Sequence, residues 1–219
     1  MSVATVAAYI DGFNLYYGMK NKYGRKHLWL DVVELIRRLR PNDDVAVVRY
    51  FSAIVKNEPA AAQNQHDYID ALKIHNGSVL EVCLGRFKDR TIRGCRRCRQ
   101  PYTCVCGREY KSYEEKGTDV ALGAMMVADA AMRAADITML VSADTDLAPA
   151  LTAVRLVAPD QAIYLAMPPG NTRPSSHLTA VGNVGHFFIN ESALRSSQLP
   201  DSVTDPVSFR AYCRPVKWS

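Results

Sequence analysis

The stretch "ITMLVSADTDLAPAL", residues 137–151, decides how this chain folds. A short apolar run, bounded by polar residues, predicts a buried strand of a parallel sheet, and the residues after it predict a helix. Asp144 and Asp146 lie at the junction between the two elements. Two like charges separated by a single residue, close behind a buried strand, repel each other unless a cation neutralises them. The junction is therefore the first candidate for a functional site.

The rest of the chain alternates in the same way between period-2 or apolar runs and helical patterns. Strands are predicted at residues 3–10, 44–55, 78–87, 137–142, 161–167 and 186–190. Helices are predicted at residues 29–41, 58–77, 116–136, 145–159 and 176–182. This alternation predicts a three-layer α/β/α fold with a central, mostly parallel sheet.

Length and composition set the domain organisation. With 219 residues and 48% apolar content, the chain can bury one substantial core. We expect one α/β domain over residues 1–190, with residues 86–112 as a small basic insert, and a C-terminal extension over residues 191–219. No apolar run is long enough to cross a membrane, and the N-terminus lacks the basic flank of a signal peptide. We therefore expect a cytoplasmic protein without membrane contact.

Positive charge is concentrated in one segment. The chain carries 27 lysines and arginines against 22 acidic residues, a net charge of +5. Residues 86–116 contain ten basic and four acidic residues, a local charge of +6, so all other residues together sum to −1. Such a concentration is typical of a surface that faces nucleic-acid phosphates, and the alternative is a solvated basic loop.

Four aspartates follow strands or begin helices in the predicted fold. Asp11 ends the first strand, Asp144 and Asp146 follow the fourth, and Asp119 begins the apolar helix after "KGT". Because functional groups of parallel sheets collect at the carboxyl ends of the strands, we expect these side chains to meet there. Oxygen ligands of this kind favour Mg²⁺ or Mn²⁺. Asp129, ten residues beyond Asp119, lies too far along its helix to join them.

Each aspartate also has a purely structural interpretation. Asp119 can be a first-turn acid behind a Thr118 N-cap, stabilised by the helix dipole. Asp144 can cap the following helix with Asp146 in its first turn, and Asp11 can be a turn residue before Gly12. These aspartates come from three separate segments, and all are predicted to lie at the same edge of the sheet, which we call the rim. This coincidence favours the metal hypothesis.

A cysteine cluster lies within the basic segment. The motif "CRRCRQPYTCVC" contains four thiols within twelve residues: Cys95, Cys98, Cys104 and Cys106. This spacing predicts a structural Zn²⁺ that holds the small insert together, and free thiols or a redox pair are the alternative. The candidate nucleic-acid contacts are Arg93, Arg96, Arg97, Arg99 and Tyr102 in this lobe and Arg173 in the loop after the fifth strand.

Three separated motifs carry a resemblance to a known family. "YIDGFNLYYG" (9–18), "KGTDVALGAMMVADAA" (116–131) and "LVSADTDLAPAL" (140–151) together resemble the NYN domain, the LabA-like branch of the PIN-like nuclease superfamily. The similarity extends over about residues 3–190. It implies an α/β/α fold, an acidic pocket for Mg²⁺ or Mn²⁺, and hydrolysis of RNA phosphodiester bonds.

The resemblance also implies roles for individual residues. The acidic positions of the family correspond here to Asp11, Asp119, Asp144 and Asp146. Asn14 corresponds to the asparagine of the "DGFN" motif, where it orients Asp11 or contacts the substrate. One ion would activate a water for in-line attack, and a second ion near Asp146 would stabilise the leaving oxygen. The chain departs from the family at Met125, where many relatives have another aspartate, and in "SAD" in place of "SGD".

The expected function is that of a metal-dependent endoribonuclease acting on single-stranded or structured RNA. The alternatives are a non-catalytic or weakly catalytic RNA-binding regulator and a DNA-directed nuclease. A phosphatase of the haloacid dehalogenase type, which would use "DTD" for its nucleophile, is disfavoured because Ala148 stands where that motif has threonine or valine. The fold is also compatible with a homodimer.

Overall fold

The computed structural model describes residues 3–56, 58–93 and 109–218, with only the backbone for residues 88–93 and 109–115. The helices are α1 (Gly12–Tyr23), α2 (Val32–Leu39), α3 (Pro59–Asn76), α4 (Thr118–Ala131), α5 (Ala148–Val157), α6 (Ser176–Thr179) and α7 (Glu191–Ser196). The strands are β1 (Thr5–Asp11), β2 (Asp44–Ser52), β3 (Leu80–Leu84), β4 (Arg86–Arg93), β5 (Glu109–Lys116), β6 (Ile137–Val141), β7 (Ala162–Met167), β8 (Val184–Phe188), β9 (Ser202–Thr204) and β10 (Ala211–Cys213).

Six strands form one parallel sheet in the order β3-β2-β1-β6-β7-β8. The chain first extends outward from β1 through β2 to β3, and then returns to the other side of β1 with β6. A parallel sheet wound in both directions opens a crevice at the carboxyl ends of the two strands where the order reverses. Here those strands are β1 and β6. Helices cover both faces of the sheet, which confirms the predicted three-layer fold.

Strand β1 lies at the centre of the sheet and contributes side chains to both layers. Val6, Ala8 and Ile10 pack in the cluster that includes the buried residues of α1, α2 and α3. Ala7 and Tyr9 pack on the opposite face, in the cluster that includes those of α4 and α5. All five side chains are at most 1% exposed. Alternation of side chains along a strand explains why an uninterrupted apolar run serves both faces.

Helix boundaries follow the local signals in most places. Helix α3 begins at Pro59 and is closed by Gly77, whose positive φ of 55° suits a residue without a Cβ. Helix α4 differs from the prediction, because its N-cap is Gly117 with a φ of 93°, and Thr118 is already its first helical residue. Helix α1 was not predicted, since only Leu15 and Met19 of its residues after Gly12 are buried and its apolar stripe is weak.

The basic segment forms an antiparallel hairpin that the sequence patterns did not predict. Strands β4 and β5 pair from Arg86 opposite Lys116 to Arg93 opposite Glu109. The hairpin arms therefore extend beyond the predicted insert of residues 86–112. The four cysteines, together with Arg96, Arg97, Arg99 and Tyr102, lie in residues 94–108, outside the described part of the chain.

The C-terminal extension packs against the domain. Helix α7 is followed by the antiparallel pair β9 and β10. Leu199, Tyr212 and Trp218 are buried in the same cluster as the residues of α1, α2 and α3. The indole nitrogen of Trp29 donates a hydrogen bond of 2.7 Å to the carbonyl of Pro200, which ties the extension to the core. Within the described residues, every helix is too short or too polar to span a bilayer.

Candidate metal centre

Asp11 is the most deeply buried carboxylate at the rim, with 5% of the residue exposed. As the last residue of β1 it caps α1, since its Oδ1 accepts a hydrogen bond of 2.9 Å from the backbone N–H of Asn14. Its Oδ2 accepts a second one, also 2.9 Å, from the hydroxyl of Ser142. Burial raises the pKa of Asp11 above its ordinary value, against the effect of these hydrogen bonds, and the charge of Asp144 raises it further.

Asp144 lies across the crevice, just after β6. Its backbone N–H donates to the hydroxyl of Ser142 at 3.0 Å, the same hydroxyl that donates to Asp11. Its Oδ1 accepts from the backbone N–H of Asp146 at 2.9 Å and so caps the short 3₁₀ turn Thr145–Leu147. Ser142 therefore bridges the two aspartates. No role was predicted for Ser142, although its position between the strand and "ADTD" is the signal that could have indicated one.

Asn14 joins the same two loops through its side chain. Its Oδ1 accepts a hydrogen bond of 3.0 Å from the backbone N–H of Ala143, while its own N–H donates to Asp11. The contact to Asp11 comes from the backbone of Asn14 and its side chain contacts Ala143, so the side-chain role that the resemblance implied stays a prediction. This hydrogen bond and the one from Ser142 to Asp11 hold the segment after β1 against the segment after β6.

Three of the four predicted aspartates come together at this rim. One carboxylate oxygen each of Asp11, Asp119 and Asp144 lies within 4.8 Å of the other two. Asp119 is an exposed first-turn residue of α4, and Asp144 is partly buried. Asp146 is exposed and is not part of this group, so its role as a ligand stays a prediction.

The structural role of these aspartates is observed, and it is compatible with the predicted role as metal ligands. Asp11 and Asp144 each cap a turn with one oxygen, and a carboxylate has further acceptor capacity on the other. Among the described residues neither forms an ion pair with a lysine or arginine. Three carboxylates at this separation repel each other, and their hard oxygen donors fit a divalent cation such as Mg²⁺ or Mn²⁺.

Asp129 belongs to a different, buried network, as its place in the helix predicted. Its Oδ2 accepts hydrogen bonds from the Tyr9 hydroxyl at 2.7 Å and from Nε of Arg49 at 2.8 Å, and its Oδ1 accepts from Arg49 at 3.1 Å. Arg49 also pairs with Glu81. Burial raises the pKa of Tyr9, and the nearby carboxylate raises it further, so this phenol stays neutral. The network links β1, β2, β3 and α4 away from the rim.

A cavity of about 250 Å³ is lined in part by Gly12 and Phe13, the two residues that directly follow Asp11. It lies between α1, the end of β2, α3 and the C-terminal 3₁₀ turn Val216–Trp218, and we call it the aromatic cavity. The rings that line it are those of Phe13, Tyr16, Tyr17, Tyr50, Tyr68 and Trp218. Sequence patterns did not indicate this cavity, because its walls come from four separated segments; the aromatic run "FNLYY" (13–17) is the local signal that could have pointed to it.

The predicted nucleic-acid contacts are only partly within the described residues. Arg173 is exposed in the loop between β7 and α6, at the same edge of the sheet as the aspartates. Arg93 ends β4, and its side chain lies outside the described part. Both roles therefore stay predictions.

Comparisons with known proteins bear on the family and the fold. The sequence model of the NYN domain matches residues 5–178. A 6-hydroxy-3-succinoylpyridine 3-monooxygenase, HspA, of Pseudomonas putida (strain DSM 28022 / S16) is 27% identical over 222 aligned positions, which cover 88% of this chain and 69% of that protein. A crystal structure of a protein of unknown function from Vibrio parahaemolyticus RIMD 2210633 superposes with a TM-score of 0.53 at 18% identity. It covers 86% of this chain and 94% of the other, and supports the fold alone.

Proposed function

This chain belongs to the NYN domain family, whose members are typically nucleases, and on that premise we propose that it is a metal-dependent endoribonuclease. One observation carries the proposal. Carboxylates from the end of β1, the start of α4 and the end of β6 converge within 4.8 Å, at the point where the strand order reverses. Asp11, Asp119 and Asp144 would hold one Mg²⁺ or Mn²⁺ ion.

The residues around the ion have separate tasks. When bound, a divalent cation supplies Lewis-acid chemistry, because it withdraws charge from a phosphate oxygen and lowers the pKa of water. Ser142 and the N–H of Asn14 orient Asp11 by donating to its two oxygens, and these hydrogen bonds oppose the rise in its pKa that burial causes. Asp146, exposed two residues after Asp144, is the proposed ligand position for a second ion beside the leaving oxygen.

The basic hairpin supplies the proposed grip on the RNA backbone. Arginines there and at position 173 would contact phosphates, and Tyr102 would stack on a base. A structural Zn²⁺ on the four cysteines of residues 95–106 would stiffen the lobe. Elemental analysis of the purified protein should find about one zinc per chain. A protein without zinc would support the alternative that the four cysteines are free thiols or a redox pair.

Cleavage assays test the nuclease proposal. Labelled single- and double-stranded RNAs are incubated with Mg²⁺, Mn²⁺ or EDTA, and matched DNA strands are run in parallel. We expect RNA cleavage that needs the cation and falls by roughly 100-fold or more in Asp144→Asn, with RNA binding retained. Asp160→Asn, an exposed acid after α5, is the control and should cut normally. Binding without cleavage under either cation would identify an RNA-binding regulator, and cleavage of DNA alone a DNA-directed nuclease.

One observation favours a second candidate function. The Pseudomonas relative is named as a monooxygenase of a hydroxylated succinoylpyridine, a small aromatic acid. The aromatic cavity, with Lys20 and Arg25 among its lining residues, is chemically suited to such a molecule. Incubating the protein with a pyridine carboxylate, air and NADH, followed by mass spectrometry, would detect ring hydroxylation. The nuclease proposal predicts that no hydroxylated product forms.

A further inference from the structure

The aromatic cavity has two sets of rings. Tyr50, Tyr68 and Trp218 form its inner wall and are each at most 9% exposed. Tyr68 lies edge-to-face with Trp218 at a centroid distance of 5.9 Å and with Tyr50 at 6.5 Å. Tyr17, on α1, is 52% exposed and marks the solvent side. A wall of this kind offers ring surface to a planar ligand, which aromatic side chains bind by stacking.

Basic side chains line the same cavity. Lys20 lies 5.4 Å from the ring centroid of Tyr16 and 6.0 Å from that of Tyr17. Arg25 and Lys217 are exposed, and Glu58 is the one acid among the lining residues. Cations beside rings suit a ligand that is both planar and anionic, as a nucleotide is.

The cavity and the metal centre share a stretch of backbone. Asp11 is followed directly by Gly12 and Phe13, and both line the cavity. Burial raises the pKa of Tyr50 to about 12, a hydrogen bond with Ser52 opposes this rise, and the charge of Asp11 adds to it. A ligand seated in the cavity therefore contacts the two residues that directly follow Asp11 in the chain.

We propose that the aromatic cavity takes up one unstacked base of a single-stranded RNA while a neighbouring phosphate lies at Asp11, Asp119 and Asp144. The inference rests on the proposed nuclease function and names its substrate class. A volume of about 250 Å³ is below the range of pockets for larger ligands, and it leaves room for a single base. A base in a duplex is stacked and paired and must first be extruded to enter, so single-stranded segments are favoured.

Base binding is measured without cleavage. A short single-stranded RNA that contains 2-aminopurine is titrated with protein in EDTA, and quenching of the base fluorescence reports stacking. We expect quenching by the wild type and by Asp144→Asn. Tyr17→Ala should bind roughly ten-fold more weakly, as expected for the loss of one stacking partner. Because Tyr17 is half exposed, its replacement should not unfold the chain.

Matched variants distinguish a loss of binding in the cavity from a general effect of removing a ring or a positive charge. Phe188→Ala removes a partly exposed ring on the far edge strand β8, and it should bind as the wild type does. Lys20→Ala, inside the cavity, should weaken binding more than Lys22→Ala, which changes a lysine of the same helix that does not line it.

The outcomes distinguish failure of the inference from failure of the proposed function. Equal affinity of wild type, Tyr17→Ala and Lys20→Ala, or duplex RNA cut as fast as single strands, overturns the base-binding proposal. Quenching that depends on Tyr17 without any cleavage in Mn²⁺ overturns hydrolysis but leaves base binding intact. If nicotinate binds more tightly than adenosine monophosphate and RNA does not displace it, the cavity serves a small aromatic acid instead.

Discussion

Gly12 shows at the level of one residue why the "DGFN" motif needs a residue without a side chain. A Cβ at this position would lie 2.6 Å from the carbonyl oxygen of Phe51 and 2.8 Å from the ring and hydroxyl of Tyr50. Displacement of the backbone of a central strand or of a buried ring disrupts close packing and therefore costs free energy. The glycine lets the start of α1 approach β2, and this approach helps position Asp11.

Gly12→Ala should therefore destabilise the protein by about 1–3 kcal/mol and displace Asp11. Urea unfolding measures the first effect, and Mn²⁺-dependent RNA cleavage measures the second. Gly123→Ala on α4 is the matched control, because its nearest neighbour is the methyl group of Ala150 at 3.1 Å. An alanine at position 12 that changes neither stability nor cleavage would contradict the close-packing argument.

At the scale of elements, the buried Asp129 connects helix α4 to strands β1 and β2. Its carboxylate accepts from Tyr9 and, through both oxygens, from Arg49. Asp129 is 2% exposed, and the side chain of Arg49 is 12% exposed. Removal of one member of such a pair leaves the other charge buried and unpaired.

Asp129→Ala should lower the free energy of unfolding by about 3–5 kcal/mol. Tyr9→Phe, which removes a single neutral donor, should cost only about 1 kcal/mol. Urea denaturation of the two variants provides the comparison. Since the network lies away from the rim, the folded Tyr9→Phe protein should retain wild-type metal dependence, and a loss of it would show that the network supports the metal centre.

The starts of β1 and β6 are joined by a second carboxylate. Oδ2 of Asp136 accepts hydrogen bonds of 2.8 Å from both the backbone N–H and the hydroxyl of Thr5. These two hydrogen bonds hold the pKa of Asp136 below its ordinary value. A carboxyl whose pKa is lowered on folding contributes stability above its unfolded pKa of about 3.9, and this contribution is lost as the pH falls through the folded value.

Asp136→Asn should accordingly melt at a lower temperature than the wild type at pH 7, and the gap should close as the pH falls below about 4. Thermal unfolding at pH 7, 5, 4 and 3 follows the gap. Asp160→Asn, at an exposed position outside this contact, should show no such convergence. A difference in melting temperature that widens in acid would contradict a lowered pKa of Asp136.

At the scale of the whole molecule, the three aspartates connect segments that are far apart in sequence. Asp11, Asp119 and Asp144 come from β1, α4 and the turn after β6. An ion that binds all three in the folded state alone stabilises that state by mass action, by about 2.7 kcal/mol at a concentration of one hundred times its Kd.

Saturating Mn²⁺ should therefore raise the melting temperature of the wild type by about 5–10 °C relative to EDTA. Asp11→Asn should lose most of this increase, because a neutral amide replaces the most buried ligand. Calorimetry with and without the cation measures both. An equal increase in the wild type and in Asp11→Asn would place the ion elsewhere.

Much of the fold was predictable because its signals are local. The apolar runs of β1 and β6, and the boundary residues Pro59 and Gly77 of α3, act through side-chain periodicity and backbone preference. Helix α1 was missed because its apolar stripe is weak, and the hairpin of β4 and β5 was missed because polar residues dominate its strands. Their structure depends on what they pack or pair with.

The sequence by itself determined the alternation of strands and helices, and it marked the aspartates at the ends of β1 and β6. Only the tertiary structure decided that Asp119 joins them while Asp146 lies outside, that Ser142 bridges two carboxylates, and that four separated segments enclose the aromatic cavity. The physical reason is the distance along the sequence over which each effect acts. Periodicity and capping act within a few residues, whereas the distance between two rim side chains depends on strand order and on how helices pack across the sheet.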